Sequence, residues 1–181
     1  MDRKEKIYHL LLDASEKSFS KLFEVNREHF YYCSLVMMEC ATPCITALSE
    51  EAYRKLLEEN AAGENSSGDD KAYYRWAYAE SPYLGFGYEE YFSEVSRYYS
   101  QDVSYALSGD EFEKRINDWL QAMVTVMETL KQKGMFMESG NDEVFLLAEQ
   151  QPSDTDYNIE NARALNNETL FEVWYKDNYI L

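Results

Sequence analysis

His29 and Cys33 set an imidazole and a thiol four residues apart, a spacing that places both on one face of a helix or of a strand. A nucleophilic cysteine needs a histidine to take its proton and a third group to orient that histidine, here Glu28 or Glu39. No local signature of a thiol enzyme surrounds Cys33, and a cysteine in so apolar a run is expected to pack as a small buried hydrophobe. Cys40 and Cys44 have the spacing of half a zinc site, but no second Cys or His pair follows, and both histidines, His9 and His29, precede them. No metal and no cofactor is therefore expected. The adjacent acid pairs (Glu50-Glu51, Glu58-Glu59, Asp69-Asp70, Glu89-Glu90, Asp142-Glu143) point in divergent directions on any regular element, so they read as solvated faces and not as acid–base pairs. Phosphate-binding, nucleophile-elbow and zinc-protease motifs are absent, and Gly85-Phe86-Gly87 lacks the third glycine of a dinucleotide cradle.

The residues with the most to offer are Tyr73, Tyr74, Arg75, Trp76, Tyr78 and Tyr83. Aromatic rings and Arg combine large contact area with a polar handle and dominate interface hot spots. They are the candidate interaction surface; the competing role is packing beneath covering helices. No catalytic residue is assigned.

Composition narrows the partner. The chain has 181 residues, with 17 Lys and Arg against 34 Asp and Glu, a formal charge of −17. Counted along the sequence, residues 1–60, 61–120 and 121–181 carry −3, −7 and −7, so the acidity is spread over the chain and is no detachable tail. Nucleic acid and anionic membranes both demand clustered cations, so neither is an expected partner. A basic protein is. The polar start of the chain does not read as a signal peptide, and no stretch approaches 18 consecutive apolar residues. With three cysteines, an odd number, a reduced cytoplasmic setting is the expectation.

The elements that must hold these residues follow from periodicity. Residues 3–24 repeat apolar side chains at helical spacing through Ile7, Leu10, Leu11, Ala14, Ser18 and Leu22. Phe30–Met38 is aromatic and β-branched on both alternating faces, which suits a central strand; Pro43 breaks the chain, and 44–48 returns as the second arm of a hairpin. Ser49 opens a helix with Glu50 and Glu51 in its first turn. Residues 60–71 have the composition of a mobile loop, and 71–80 reads as a strand with Tyr74, Trp76 and Tyr78 on one face. A turn over 81–87 leads to a helix ending near Ser100, and 109–133 is a long helix started by the Ser108–Glu111 capping pattern and stopped by Gly134. Residues 143–148 form a buried strand, followed by short helices near 156–165 and 168–177. The result is a single α+β domain over 1–181, a small, largely antiparallel sheet covered by several helices.

Three of these segments carry a resemblance: the strand Phe30–Met38 with 43–48 and Ser49-Glu50-Glu51; Tyr74-Arg75-Trp76-Ala77-Tyr78 with Ser81-Pro82-Tyr83; and Asn161-Ala162-Arg163-Ala164-Leu165-Asn166. Together they resemble a bacterial family of small cytoplasmic domains of unknown function. The resemblance implies structural marks and no catalytic residues. Asn167 departs from it, standing where the family pattern leads one to expect Pro. In size, charge and composition the chain is also similar to immunity proteins of bacterial polymorphic toxin systems, which is an analogy of general character. The expected function is an acidic, protein-binding domain of the immunity-inhibitor kind. The alternatives are a small enzyme using Cys33 and His29, and an oligomeric structural or regulatory module; nothing in the residues fixes the oligomeric state.

Overall fold

The computed structural model describes residues 1–61, 68–104, 106–137, 143–152 and 155–180. Among the described residues, eight α-helices surround one three-stranded sheet. The first helix, α1 (Arg3–Val25), starts on a reciprocal capping box: Asp2 accepts from the Glu5 N–H, and Glu5 accepts from the Asp2 N–H, each at 2.9 Å. Its buried stripe is Ile7, Leu11, Ala14, Ser18 and Leu22, widened by Ser15 and Phe19. β1 (Phe30–Met38) and β2 (Cys44–Ser49) form the hairpin, with Glu39 and Cys40 taking the left-handed backbone (φ 48° and 57°) that reverses the chain before Pro43. Ser49 caps α2 (Glu50–Ala61), its hydroxyl accepting from Ala52 N–H. The long helix α6 (Gly109–Gln132) begins where Ser108 accepts from Glu111 N–H; the Glu111 carboxylate turns to Arg115 and makes no return bond. Gly134, at φ 77°, supplies the left-handed stop.

β3 (Phe145–Gln151) lies on the other side of β1, giving the order β2-β1-β3. The sheet is mixed. β1 and β2 are antiparallel; β3 arrives through a helical crossover and runs parallel to β1, Tyr32 opposite Phe145 through Met38 opposite Gln151. The expected strand at 143–148 starts two residues later and continues through Glu149-Gln150-Gln151, where pairing to β1 persists after the apolar pattern stops.

Both outer edges of the sheet are capped by hydrogen bonds from outside it. On the β2 edge, the Ser81 hydroxyl donates to Ala47 C=O and Gly85 N–H donates to Ile45 C=O at 2.8 Å. On the β3 edge, α7 (Thr155–Leu165) supplies Asn158, which bonds both the N–H and the C=O of Gln150, and Asn161, which donates to Ala148 C=O. Asn166, just past α7, bonds the N–H and C=O of Leu146. These amides stand in for a fourth strand, and an exposed edge of this kind otherwise invites another chain.

The closed edges explain the main departure from expectation. Residues 71–80 do not form a strand: they lie in α3 (Gly68–Trp76) and a 3₁₀ turn, Tyr78–Glu80. Aromatic β-propensity favoured a strand, but an added strand has no free edge to join; tertiary packing of Trp76 decides the matter. The proposed loop at 60–71 is narrower at both ends, since α2 reaches Ala61 and α3 begins at Gly68; residues 62–67 lie outside the described residues. The helix expected up to Ser100 is divided at Phe92 into α4 (Tyr88–Tyr91) and α5 (Ser93–Asp102). The last helix, α8 (Glu168–Tyr179), is capped by Asn167, whose side chain accepts from Leu170 N–H at 2.9 Å.

The sheet divides the interior in two. On its first face Cys33, Leu35 and Met37 of β1, Ile45 and Ala47 of β2, and Leu146 and Ala148 of β3 pack on α1, α5 and α6. On its second face the strand register sets three rows: Leu48–Tyr32–Phe145, Thr46–Ser34–Leu147 and Cys44–Val36–Glu149. Trp76, Ala162, Phe171 and Trp174 cover the apolar first row. Polarity rises along the rows, and the last holds a carboxylate.

Candidate functional site

The six aromatic-segment residues occupy one path from the surface to the second sheet face, with one exception. Tyr73 is 61% exposed and sits edge-on to half-buried Tyr74, centroids 5.3 Å apart. The Arg75 guanidinium lies 5.3 Å from the Tyr31 ring and 5.5 Å from the Trp76 ring, and the Arg75 carbonyl accepts from the Tyr31 hydroxyl at 2.7 Å. The cation thus lies within cation–π range of two rings. Trp76 is buried, edge-on to Tyr32 and Phe145 and donating its indole N–H to Asp177 of α8 at 3.0 Å. Tyr78, in the 3₁₀ turn, accepts at its carbonyl from Thr46 at 3.4 Å. Partial burial first, and then the nearby charge of Glu149, raises its phenol, with Tyr73, Cys44 and Glu39 adding to the effect. The exception is Tyr83, which packs on Phe30 beside the first core and donates to Glu28 at 2.6 Å; the same Glu28 oxygen accepts from Ser49.

Sequence reasoning missed the chemistry beneath this cover. Glu149, 6% exposed, accepts from the Tyr32 hydroxyl at 2.7 Å and from the Gln151 amide at 2.5 Å. Among the described residues no Lys, Arg or His pairs with it. Burial raises its carboxyl from 4.5 to about 7, against the opposing pull of the two hydrogen bonds. Burial, followed by the charge of Glu149, holds the Tyr32 phenol well above its ordinary range. One signal was available: Glu149 shares alternation parity with Phe145 and Leu147, so if β3 runs on past Ala148 its carboxylate must enter the covered face.

The thiol site does not assemble. The His29 ring is 75% exposed and bonded to Glu51 at 2.7 Å, whereas Cys33 is wholly buried in the first core. Four residues of extended chain separate same-face side chains by about 13 Å, beyond the reach of an imidazole. Burial raises the Cys44 thiol to about 11, against a Gly85 N–H that favours the thiolate, leaving it protonated and a poor nucleophile at neutral pH. Among the described residues, no three His, Cys, Asp or Glu side chains converge to hold a metal ion, and no helix is long and apolar enough to cross a membrane.

A second buried carboxylate has opposite surroundings. Asp102, at the end of α5, takes a two-pronged bond from Arg3 (2.7 Å each), one from Arg115 (2.6 Å) and one from the Trp119 indole (2.9 Å). Arg3 also reaches Asp118, which Lys4 approaches at 2.8 Å. Burial alone would raise Asp102; the bonds from Arg3, Trp119 and Arg115 outweigh it and hold the carboxyl below its usual range. This cluster ties α1, α5 and α6 together.

No curated protein and no solved structure matches the chain. A family model described as a domain of unknown function, DUF4303, matches residues 11–167, from the third turn of α1 to the cap of α8. That span contains the hairpin, the aromatic cover and the Asn161–Asn166 edge clamp, and the chain belongs to the DUF4303 family.

Proposed function

We propose that this protein is a cytoplasmic, acidic binding domain that captures a basic protein through the face carried by α3, as an immunity protein occludes a toxin. The observation that carries this reading is Tyr73: a large aromatic ring left mostly exposed at the outer end of an otherwise buried aromatic column, next to Tyr74 and the ring-stacked Arg75. Among the described residues, ten Lys and Arg side chains are engaged by carboxylates of the same chain, and with 34 acids against 17 bases the outward field is anionic. Such a field speeds encounter with a cationic surface and rejects anionic ones, while the rings supply the contact area that opposite charge alone does not.

The test is co-expression with the product of a neighbouring toxin-like gene. Restored growth, a complex on gel filtration that weakens at high salt, and roughly tenfold weaker binding by Tyr73→Ala are expected. Unchanged killing with no complex contradicts the proposal.

A further inference from the structure

We propose that Glu149 is a proton-operated latch on the aromatic cover: neutral, it keeps residues 72–80 closed on the second sheet face, and ionised, it loosens them and the binding face they carry. The inference rests on the reading of α3 as the binding face, and concerns its regulation.

The geometry is a short relay. Glu149 bonds the Tyr32 hydroxyl; the Tyr32 ring lies 6.1 Å from Trp76; Trp76 closes the helix that displays Tyr73, Tyr74 and Arg75. Among the described residues, the surroundings contain nothing to neutralise an anion. β1 contributes Tyr32 and Ser34, β3 contributes Gln151, and the 3₁₀ turn contributes Tyr78, beside which stand Cys44 of β2 and Glu39 of the turn after β1. The helix packed on β3 from this side, α7, offers neutral Asn158 and Asn161, while its Asp156, Glu160 and Arg163 are exposed; α6 meets the opposite face with apolar side chains. Ionising a carboxyl among neutral and acidic groups is relieved most cheaply by admitting water. The strands are held by continuous ladders, whereas among the described residues the cover is held by the packing of Trp76 and by the hydrogen bonds of Trp76 to Asp177, Tyr31 to the Arg75 carbonyl, and Thr46 to the Tyr78 carbonyl at 3.4 Å. A nine-residue helix and a three-residue turn so anchored form the low-stability unit that opens first. The raised carboxyl of Glu149 places the change near neutral pH.

The experiment is amide hydrogen exchange of the intact protein at pH 6 and pH 8, corrected for the intrinsic pH dependence of exchange. Protection over 72–80 is expected to fall about tenfold in the wild type, the ratio given by linkage when a carboxyl of pKa about 7 returns to an ordinary 4.5 on opening. Glu149→Gln is expected to show equal protection at both values. Tyr32→Phe keeps the ring under Trp76 and removes the hydroxyl that favours the carboxylate, so protection is expected to fall further between pH 6 and pH 8 than in the wild type. Wild-type protection that does not change, a fall as large in Glu149→Gln, or a fall in Tyr32→Phe no larger than the wild-type one overturns the latch. These readouts need no partner: a latch without a toxin complex defeats only the proposed function, and a toxin complex without pH-dependent protection defeats only the latch.

Discussion

Asp102 and Glu149 are buried to nearly the same degree, 8% and 6% exposed, yet Asp102 receives two guanidinium groups and an indole while Glu149 receives a phenol and an amide. The same burial therefore ends in opposite shifts, down for Asp102 and up for Glu149. Desolvation opposes ionisation in both, and the presence or absence of a cation decides the sign. The two sites sit on opposite sides of the sheet. The first side is a conventional apolar core stapled by charge, and the second carries an uncompensated acid beneath a short aromatic cover.

Removing the better-supported carboxylate gives the largest effect. Asp102→Ala leaves Arg3 and Arg115 without their shared partner and the Trp119 N–H unsatisfied, so the protein is expected to lose about 2–4 kcal/mol in urea unfolding. Because its pKa is depressed, Asp102 contributes stability that is present above its unfolded value of 3.8 and lost as pH falls through the folded value. Glu149 behaves in reverse. Its raised pKa means that stability is fully present below 4.5 and declines as pH rises through about 7. Glu149→Gln should therefore raise stability by about 1–3 kcal/mol at pH 8 and by about zero at pH 4.5, since the amide still accepts from Tyr32 without a charge to bury. A mutant that is less stable at pH 8 would break the comparison. The cysteines sharpen it: at neutral pH a thiol reagent should modify half-buried Cys40 first, with Cys33 and Cys44 reacting only as fast as the protein opens. Tyr73→Ala, at the exposed end of the column, should change stability by no more than about 0.5 kcal/mol and leave the pH dependence intact, while weakening any complex.

Much of the scaffold was legible because its residues signal locally. Ser49 and Ser108 mark helix starts, Gly134 marks a stop, and the run Phe30–Met38 is apolar on both faces as a central strand must be. The parallel placement of β3 was not legible, since strand direction depends on the crossover and not on the strand's own residues. Nor was the helix over 68–76. Its identity depends on Ser81, Gly85, Asn158, Asn161 and Asn166 closing the sheet edges, which is a long-range fact. The segments that carried the family resemblance include Ser81, Asn161 and Asn166 of these clamps, so they mark how the sheet is terminated. Glu149 escaped notice because a carboxylate after an apolar run ordinarily ends a strand, and only its pairing with Val36 carries it into the covered face.

The contrast between the two carboxylates is tested most directly by following the side-chain carboxyl carbons by NMR across a pH titration of the wild-type protein. Glu149 should titrate near 7 and Asp102 below 3.8 in the same sample. A Glu149 midpoint at the ordinary 4.5 would contradict the account, because it would mean that the second sheet face compensates that charge after all.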